Sequence, residues 1–199
     1  MQSVNAKDMT KQHTLELSDY INNNLGGVTI TEGQSNPYMA DVNFRGFTAS
    51  PLAGAPQGLS VFQDGVRINE PFGDTVNWGL IPQSAISSIN LMPGSNPVFG
   101  LNTLGGALSV NTKSGASYPG VSAEIMGGSW GRRGLNASYG GASGDVDYFI
   151  TGNFSKEDGW RDASQSEVNQ MFGKIGWQNE TTDLDLSLTL AHNNLNGVQ

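Results

Sequence analysis

Asp183 to Leu190 alternates without a break. Leu184, Leu186, Leu188 and Leu190 fall on one side, and Asp183, Asp185, Ser187 and Thr189 on the other. A period of two is the pattern of a strand with one apolar and one polar face. The same period runs back through the second half of the chain. Val146, Tyr148, Ile150 and Phe154 share a parity broken only by Gly152, and Asp145, Asp147, Thr151 and Asn153 share the other, with Phe149 the exception. Met171, Ile175 and Trp177 alternate with Gln170, Phe172 and Lys174; Leu135, Ala137 and Tyr139 with Asn136 and Ser138; Val121, Ala123 and Ile125 with Ser122, Glu124 and Met126. Five strands of roughly 8–14 residues are predicted, against the ~9–11 that cross a bilayer at a tilt. Their connectors are unequal. Ser143-Gly144 and Asn179-Glu180-Thr181 are short, whereas Lys156 to Glu167 is long and polar and carries Trp160 and Arg161. Unequal connectors suit an outer-membrane barrel. A soluble sandwich with a leucine core alternates in the same way and stays open as an alternative.

Before residue 115 the pattern is mixed. Leu17, Tyr20, Ile21 and Leu25 sit at helical spacing between Thr14 and Leu25, with Gly26-Gly27 as a stop. Val28 to Thr31 and Val42 to Gly46 read as strands. Leu59 to Gln63 and Val66 to Asn69 flank Asp64-Gly65, a two-residue link that favours a hairpin because both turn positions need positive φ. Pro82 to Ile86 reads as a short helix with proline in its first turn, and Ser88 to Met92 and Gly106 to Thr112 as two more strands. Strands and short helices in this order predict a compact α+β domain. The expected division is therefore an α+β domain over residues 1–115 and antiparallel strands over 116–199.

Composition narrows the function. The chain holds 27 glycines in 199 residues and only 14% charged side chains, which fits many turns between short strands. With no cysteine there is no disulfide scaffold or thiolate metal site. A net charge of -8 argues against nucleic acid as a partner. No run approaches the ~18 apolar residues of a membrane helix, which leaves membrane strands untouched. Met1 to Lys7 lacks the apolar stretch of a signal peptide.

The motifs that could carry chemistry lack the context each requires. Gly127-Gly128-Ser129-Trp130-Gly131 matches the G-x-S-x-G elbow, and Asp158, Asp162 and His192 follow in hydrolase order. The elbow needs a helix after the turn, and Arg132 to Gly141 alternates instead, so a turn between strands is expected and no enzyme. His13 and His192 are the only histidines and neither has a neighbour at metal-ligand spacing. Asp183 and Asp185 share a face and suit either a cation or a solvated lumen. Lys113-Ser114 lacks the phosphate-loop spacing. No metal and no cofactor are expected.

Four segments, in order, resemble the plug domain of TonB-dependent outer-membrane receptors. They are Asn43-Phe44-Arg45-Gly46; the hairpin Val61 to Asn69 around Asp64-Gly65; Ile86 to Leu91; and the closing run Leu91 to Val110, with Gly94, Gly100 and the pair Gly105-Gly106. This last run passes from strand through glycine turns to strand and carries no Lys, Asp or His, which suits backbone packing better than catalysis. Leu91-Met92-Pro93-Gly94 lacks the arginine that the family often places before the glycine turn. The resemblance spans about Thr14 to Lys113 and continues into barrel strands.

The resemblance implies a plug followed by antiparallel transmembrane β-barrel strands, an incomplete barrel in the outer membrane of a Gram-negative bacterium. It implies active uptake of a scarce ligand: a siderophore, cobalamin, a sugar or a metal chelate. The TonB energy-transducing system would be the partner and outer-membrane lipid the surroundings. Large plugged transporters have ~22 strands, so the chain reads as a fragment with neither a TonB-contacting segment nor a closed barrel. The loops Phe47 to Gln57 and Asn69 to Trp78 become ligand-facing, with Phe47, Leu52, Asn69, Phe72, Asp74, Asn77 and Trp78 as candidate contacts. Pro51 lies among them. Phe72 and Trp78 equally suit a seal against the barrel wall. Arg45 is expected to tie plug strands together, or the plug to the barrel wall, through a carboxylate by its guanidinium fork, with an exposed strand-end arginine as the alternative. The rivals are a soluble or surface β-rich binding or adhesion protein, with Leu184 to Leu190 in a core, and a hydrolase dependent on Ser129.

Overall fold

The structure, a computed structural model, describes residues 2–6, 17–32, 39–55, 57–160 and 164–196. His13, the expected helix start over residues 14–16, Arg161 and Asp162 lie outside the described residues. The described strands form three sheets. One is mixed, in the order β1 (Gln2–Asn5), β7 (Ile86–Pro93), β8 (Gly106–Thr112), β5 (Leu59–Gln63), β6 (Val66–Arg67). Its β5–β8 pair is parallel, Leu59 opposite Gly106, and the other pairs are antiparallel. A second, antiparallel sheet joins β2 (Val28–Glu32), β3 (Ala40–Phe44) and β4 (Phe47–Ala49). The third is an antiparallel meander of β9 (Gly120–Gly127), β10 (Arg133–Ser143), β11 (Val146–Glu157), β12 (Ser166–Gln178) and β13 (Asp183–Leu195).

The chain divides into two compact units, Met1–Trp78 with Ile86–Thr112, and Gly79–Ala85 with Lys113–Gln199. In the first, the apolar spacing of helix α1 (Leu17–Asn24) places Leu17, Tyr20 and Ile21 in a core with Phe44, Val61 and Ile89. The expected elements are present. The strand after Asp64-Gly65 is shorter than its alternation predicts, ending at Arg67, and the helix after Pro82 is a single 3-10 turn, Gln83–Ala85. Two strands were not predicted. β1 pairs Gln2 with Leu91 across most of the first unit, and β4 begins at Phe47, where a loop was expected.

The second unit takes in Gly79–Ala85, away from its neighbours in sequence. The reason is hydrogen bonding and burial. Thr151 Oγ1 donates to Ser84 Oγ at 2.9 Å, Gln170 Nε2 to the Gly79 carbonyl at 2.5 Å, and the Lys113 amide to the Ala85 carbonyl at 2.7 Å. Ala85 then packs with Phe149, Phe172 and Tyr118. Full burial of a phenylalanine contributes about 1.5–3 kcal/mol, so Phe149 and Phe172, which broke the polar parity of their strands, anchor this face of the meander. Lys174 on the same face pairs with Asp185 at 2.8 Å, so the cation beside Asp185 is an ammonium of the chain itself.

The opposite face is apolar and uncovered. Leu186 is 72% exposed and Ile125 84%. The soluble rival needed Leu184 to Leu190 in a core; here all four are exposed. Val146 to Phe154 on β11 spans eight steps, about 27 Å along the strand and about 19 Å of height at a tilt near 45°.

Candidate functional site

The two candidate loops belong to the first unit and are tied together there. The Val76 amide donates to the Ser50 carbonyl at 2.9 Å. Ser50 is itself fixed, its amide donating to Gln57 Oε1 at 3.0 Å and its Oγ accepting from the Leu52 amide at 3.0 Å. The second loop is closed at its neck by the Glu70 amide donating to the Thr75 carbonyl at 2.8 Å. Phe72 stands at its tip, 89% exposed.

Asn69 braces this loop from beneath. Its Oδ1 accepts from the Val61 amide at 2.7 Å, and its Nδ2 donates to the Leu59 carbonyl at 3.1 Å and the Asp74 carbonyl at 3.3 Å. Arg67 Nε also donates to this Oδ1, at 3.4 Å, so four bonds fill a buried amide's capacity and the side chain acts as a strand-to-loop bracket. Asp74, at φ +56, accepts from Arg67 Nη2 at 2.8 Å and from Asn102 Nδ2 at 2.6 Å. That second bond joins the Phe72 loop to the loop between β7 and β8, whose Val98 and Leu101 are also exposed. Charge-assisted bonds are the stronger kind; here the Arg67 and Asp74 side chains keep 28% and 21% exposure, so solvent screens part of the gain.

The candidate residues thus separate by position. Phe72 and Asn77 are exposed, Leu52 and Asp74 half-buried, and Asn69 and Trp78 buried. Trp78 Nε1 is buried with no hydrogen-bond partner among the described residues. Phe47 lies half-buried with its ring over Gly58 and Gly105; a Cβ on Gly105 would come within 2.5 Å of Phe47 Cβ. Gly106, at φ +147, leaves no room for a Cβ beside the Met92 carbonyl. The pair therefore lets the closing run pass under Phe47 and against β7. Gly94 and Gly100 turn the chain at each end of the 3-10 turn Pro97–Phe99, the Gly94 amide donating to the Gly105 carbonyl at 3.0 Å.

Asp64 and Gly65 form the two-residue turn between β5 and β6, at φ +47 and +82. Asp64 also accepts from the Thr112 amide at 2.8 Å and from Thr112 Oγ1, pinning the hairpin to the end of β8. Sequence reasoning saw the turn and missed this second role. It missed Arg67 and Asn102 too; the only signal was an arginine and an aspartate on either side of Pro71-Phe72-Gly73.

Arg45 differs from expectation. With Gly46 it forms the turn between β3 and β4, at φ +52, and is exposed. No carboxylate among the described residues pairs with it, and its guanidinium carbon stands 5.0 Å from the Phe44 ring centroid. A two-residue turn projects its side chains off the sheet, so a buried fork does not form within this unit.

Ser129 sits in the connection between β9 and β10, its carbonyl accepting from the Arg132 amide at 3.2 Å. Strand follows the turn where the hydrolase elbow needs a helix.

Comparison with known proteins places these elements. The sequence matches the TonB-dependent Receptor Plug Domain family over residues 1–107. Among solved structures, the siderophore receptor PirA from Acinetobacter baumannii superposes with a TM-score of 0.67 at 20% identity, covering 96% of this chain and 31% of its own. The pyoverdine outer membrane receptor FpvA from Pseudomonas aeruginosa gives 0.72 at 14%, covering 96% and 27%. The ferric yersiniabactin uptake receptor FyuA from Yersinia pestis gives 0.69 at 16%, covering 94% and 30%. These identities carry the fold alone, and the chain spans about a third or less of each receptor's length.

Proposed function

The chain belongs to the TonB-dependent receptor plug domain family, and from that membership we propose that it serves the energised uptake of a scarce ligand across the outer membrane of a Gram-negative bacterium. A siderophore or a related metal chelate is the ligand class, since the superposing receptors are named for siderophores. Residues 1–115 act as the plug and residues 116–199 as strands of the surrounding wall, with the TonB system as partner. The observation that carries the reading is one chain joining a receptor plug to a meander whose leucine face is uncovered.

Ligand contact falls to the exposed and half-exposed candidates, Phe72, Asn77, Asp74 and Leu52. Asn69, Trp78 and Phe47 hold their loops from below. An aromatic anchor on a braced loop, with a few polar groups beside it, has the makeup of a recognition surface. The hairpin links this surface inward: Phe72 through Asp74 to Arg67, and Asp64 to the end of β8.

The test is uptake in the native host. Deleting the locus should abolish accumulation of one radioiron-loaded chelate from a panel, and inactivating TonB should do the same. Phe72→Ala should weaken binding of that chelate without removing the protein from the outer membrane. Unchanged uptake of every chelate after deletion would refute the proposal for this ligand class.

A further inference from the structure

Arg133 and Lys156 face each other across the β10–β11 pair. Both share the parity of Leu135 and Phe154, so they stand on the apolar face, one step beyond its last apolar row. Like charges directly opposite on a sheet destabilise it. Glu167 offers Lys156 only a loose contact, 3.6 Å with both side chains about 40% exposed, and no carboxylate among the described residues pairs with Arg133. Arg133 thus has no carboxylate among the described residues and Lys156 a loose one, an arrangement that an anion from outside the chain would complete.

An apolar groove begins immediately below them. It has a volume of about 830 Å³ and is walled by Leu135, Tyr139, Ile150, Phe154, Met171 and Leu190. Ala137 and Gly152, paired in register, form its floor. The cations lie at the end of the sheet with the connections 128–132 and 158–165, opposite the tight turns 144–145 and 179–182. In an outer-membrane barrel the longer connections face outward.

We propose that Arg133 and Lys156 hold a phosphate of a phosphorylated glycolipid of the outer leaflet, with one of its acyl chains in the groove. The inference rests on the reading of this meander as membrane wall. Charge complementarity identifies the headgroup and the adjoining groove identifies a lipid as its carrier.

The test uses the protein expressed from its native locus and purified from outer membranes in mild detergent, then stripped of lipid. It is titrated with diphosphoryl lipid A, with the dephosphorylated glycolipid, with phosphatidylglycerol and with inorganic phosphate. Diphosphoryl lipid A should bind tightest. The double variant Arg133→Gln, Lys156→Gln should weaken it about 30-fold, two cations each contributing about 1 kcal/mol at a membrane surface. Gly152→Leu, which fills the groove, should weaken lipid A as well, whereas Arg133→Lys should retain binding. In lipid-free detergent the double variant should melt no lower than the parent, because a repulsion has been removed. Equal binding of the phosphorylated and dephosphorylated glycolipids would overturn the proposal. So would equal binding of phosphatidylglycerol, displacement of lipid A by millimolar phosphate, or an unchanged affinity in the double variant. Absence of the protein from the outer-membrane fraction would instead overturn the receptor reading beneath it.

Discussion

Asp74→Asn isolates the charge that joins two loops. Asparagine tolerates the left-handed backbone at this position, so the φ of +56 is kept. Two things change. The Arg67 contact passes from charge-assisted to neutral, a difference of about 1 kcal/mol. The Asn102 contact weakens likewise: its amide flips so that its Oδ1 accepts from the new NH2 group, a neutral bond in place of a charge-assisted one, about another 1 kcal/mol. The partial exposure of Arg67 and Asp74 discounts the sum, leaving about 1–1.5 kcal/mol. That is close to tenfold in the opening of the loop. Native-state hydrogen exchange reads it directly. The Glu70 amide, bonded to Thr75, and the Val76 amide, bonded to Ser50, should exchange about tenfold faster. The Ile68 amide, bonded to Val61, should not change. Exchange at Glu70 and Val76 within twofold of the parent would refute the reasoning and leave Asn69 as the sole brace.

Four other outcomes are expected. Phe172→Ala, at a fully buried site, should cost the second unit about 3–5 kcal/mol in denaturant unfolding. Gly106→Ala should lower stability by about 1–3 kcal/mol, because the backbone there is one that side chains avoid and the added carbon meets the Met92 carbonyl; a melting curve checks it. Leu186→Arg should destabilise the sheet in a bilayer by about 2–4 kcal/mol, while Ser187→Arg on the other face should cost less, as read by unfolding in lipid vesicles. Burial lowers the Lys113 pKa from its usual 10.5, with Glu124 opposing. The unfolded chain therefore binds the extra proton between the folded pKa and 10.5, and stability rises with pH through that alkaline window; Lys113→Met should flatten the rise in denaturant titrations at several pH values.

What could be read from the sequence was what local periodicity encodes. Asp183 to Leu190 announced its two faces, Asp64-Gly65 its turn, and Leu17 to Leu25 its buried helical stripe. The four plug-like segments announced the family. Strands too short to show a period did not appear: Gln2–Asn5 becomes a strand only by meeting Ser88 to Leu91, and Phe47–Ala49 only by returning along β3. The transfer of Gly79–Ala85 to the second unit was equally hidden, because it depends on Thr151 and Gln170, far along the chain. At the candidate site the exposed Phe72 and Asn77 were legible as loop residues. The network beneath them was not, since Arg67, Asp74 and Asn102 meet only after the sheet has formed.

One face of the meander exposes Leu184, Leu186, Leu188 and Leu190 together with Ile125 and Ile175. A contiguous apolar face of this kind makes the sheet prone to aggregate in water. Any passage of these strands through an aqueous compartment then requires a chaperone that holds them apart, and overproduction without one should yield inclusion bodies. The leucine face that would suit the sheet to lipid thus sets a handling cost in water.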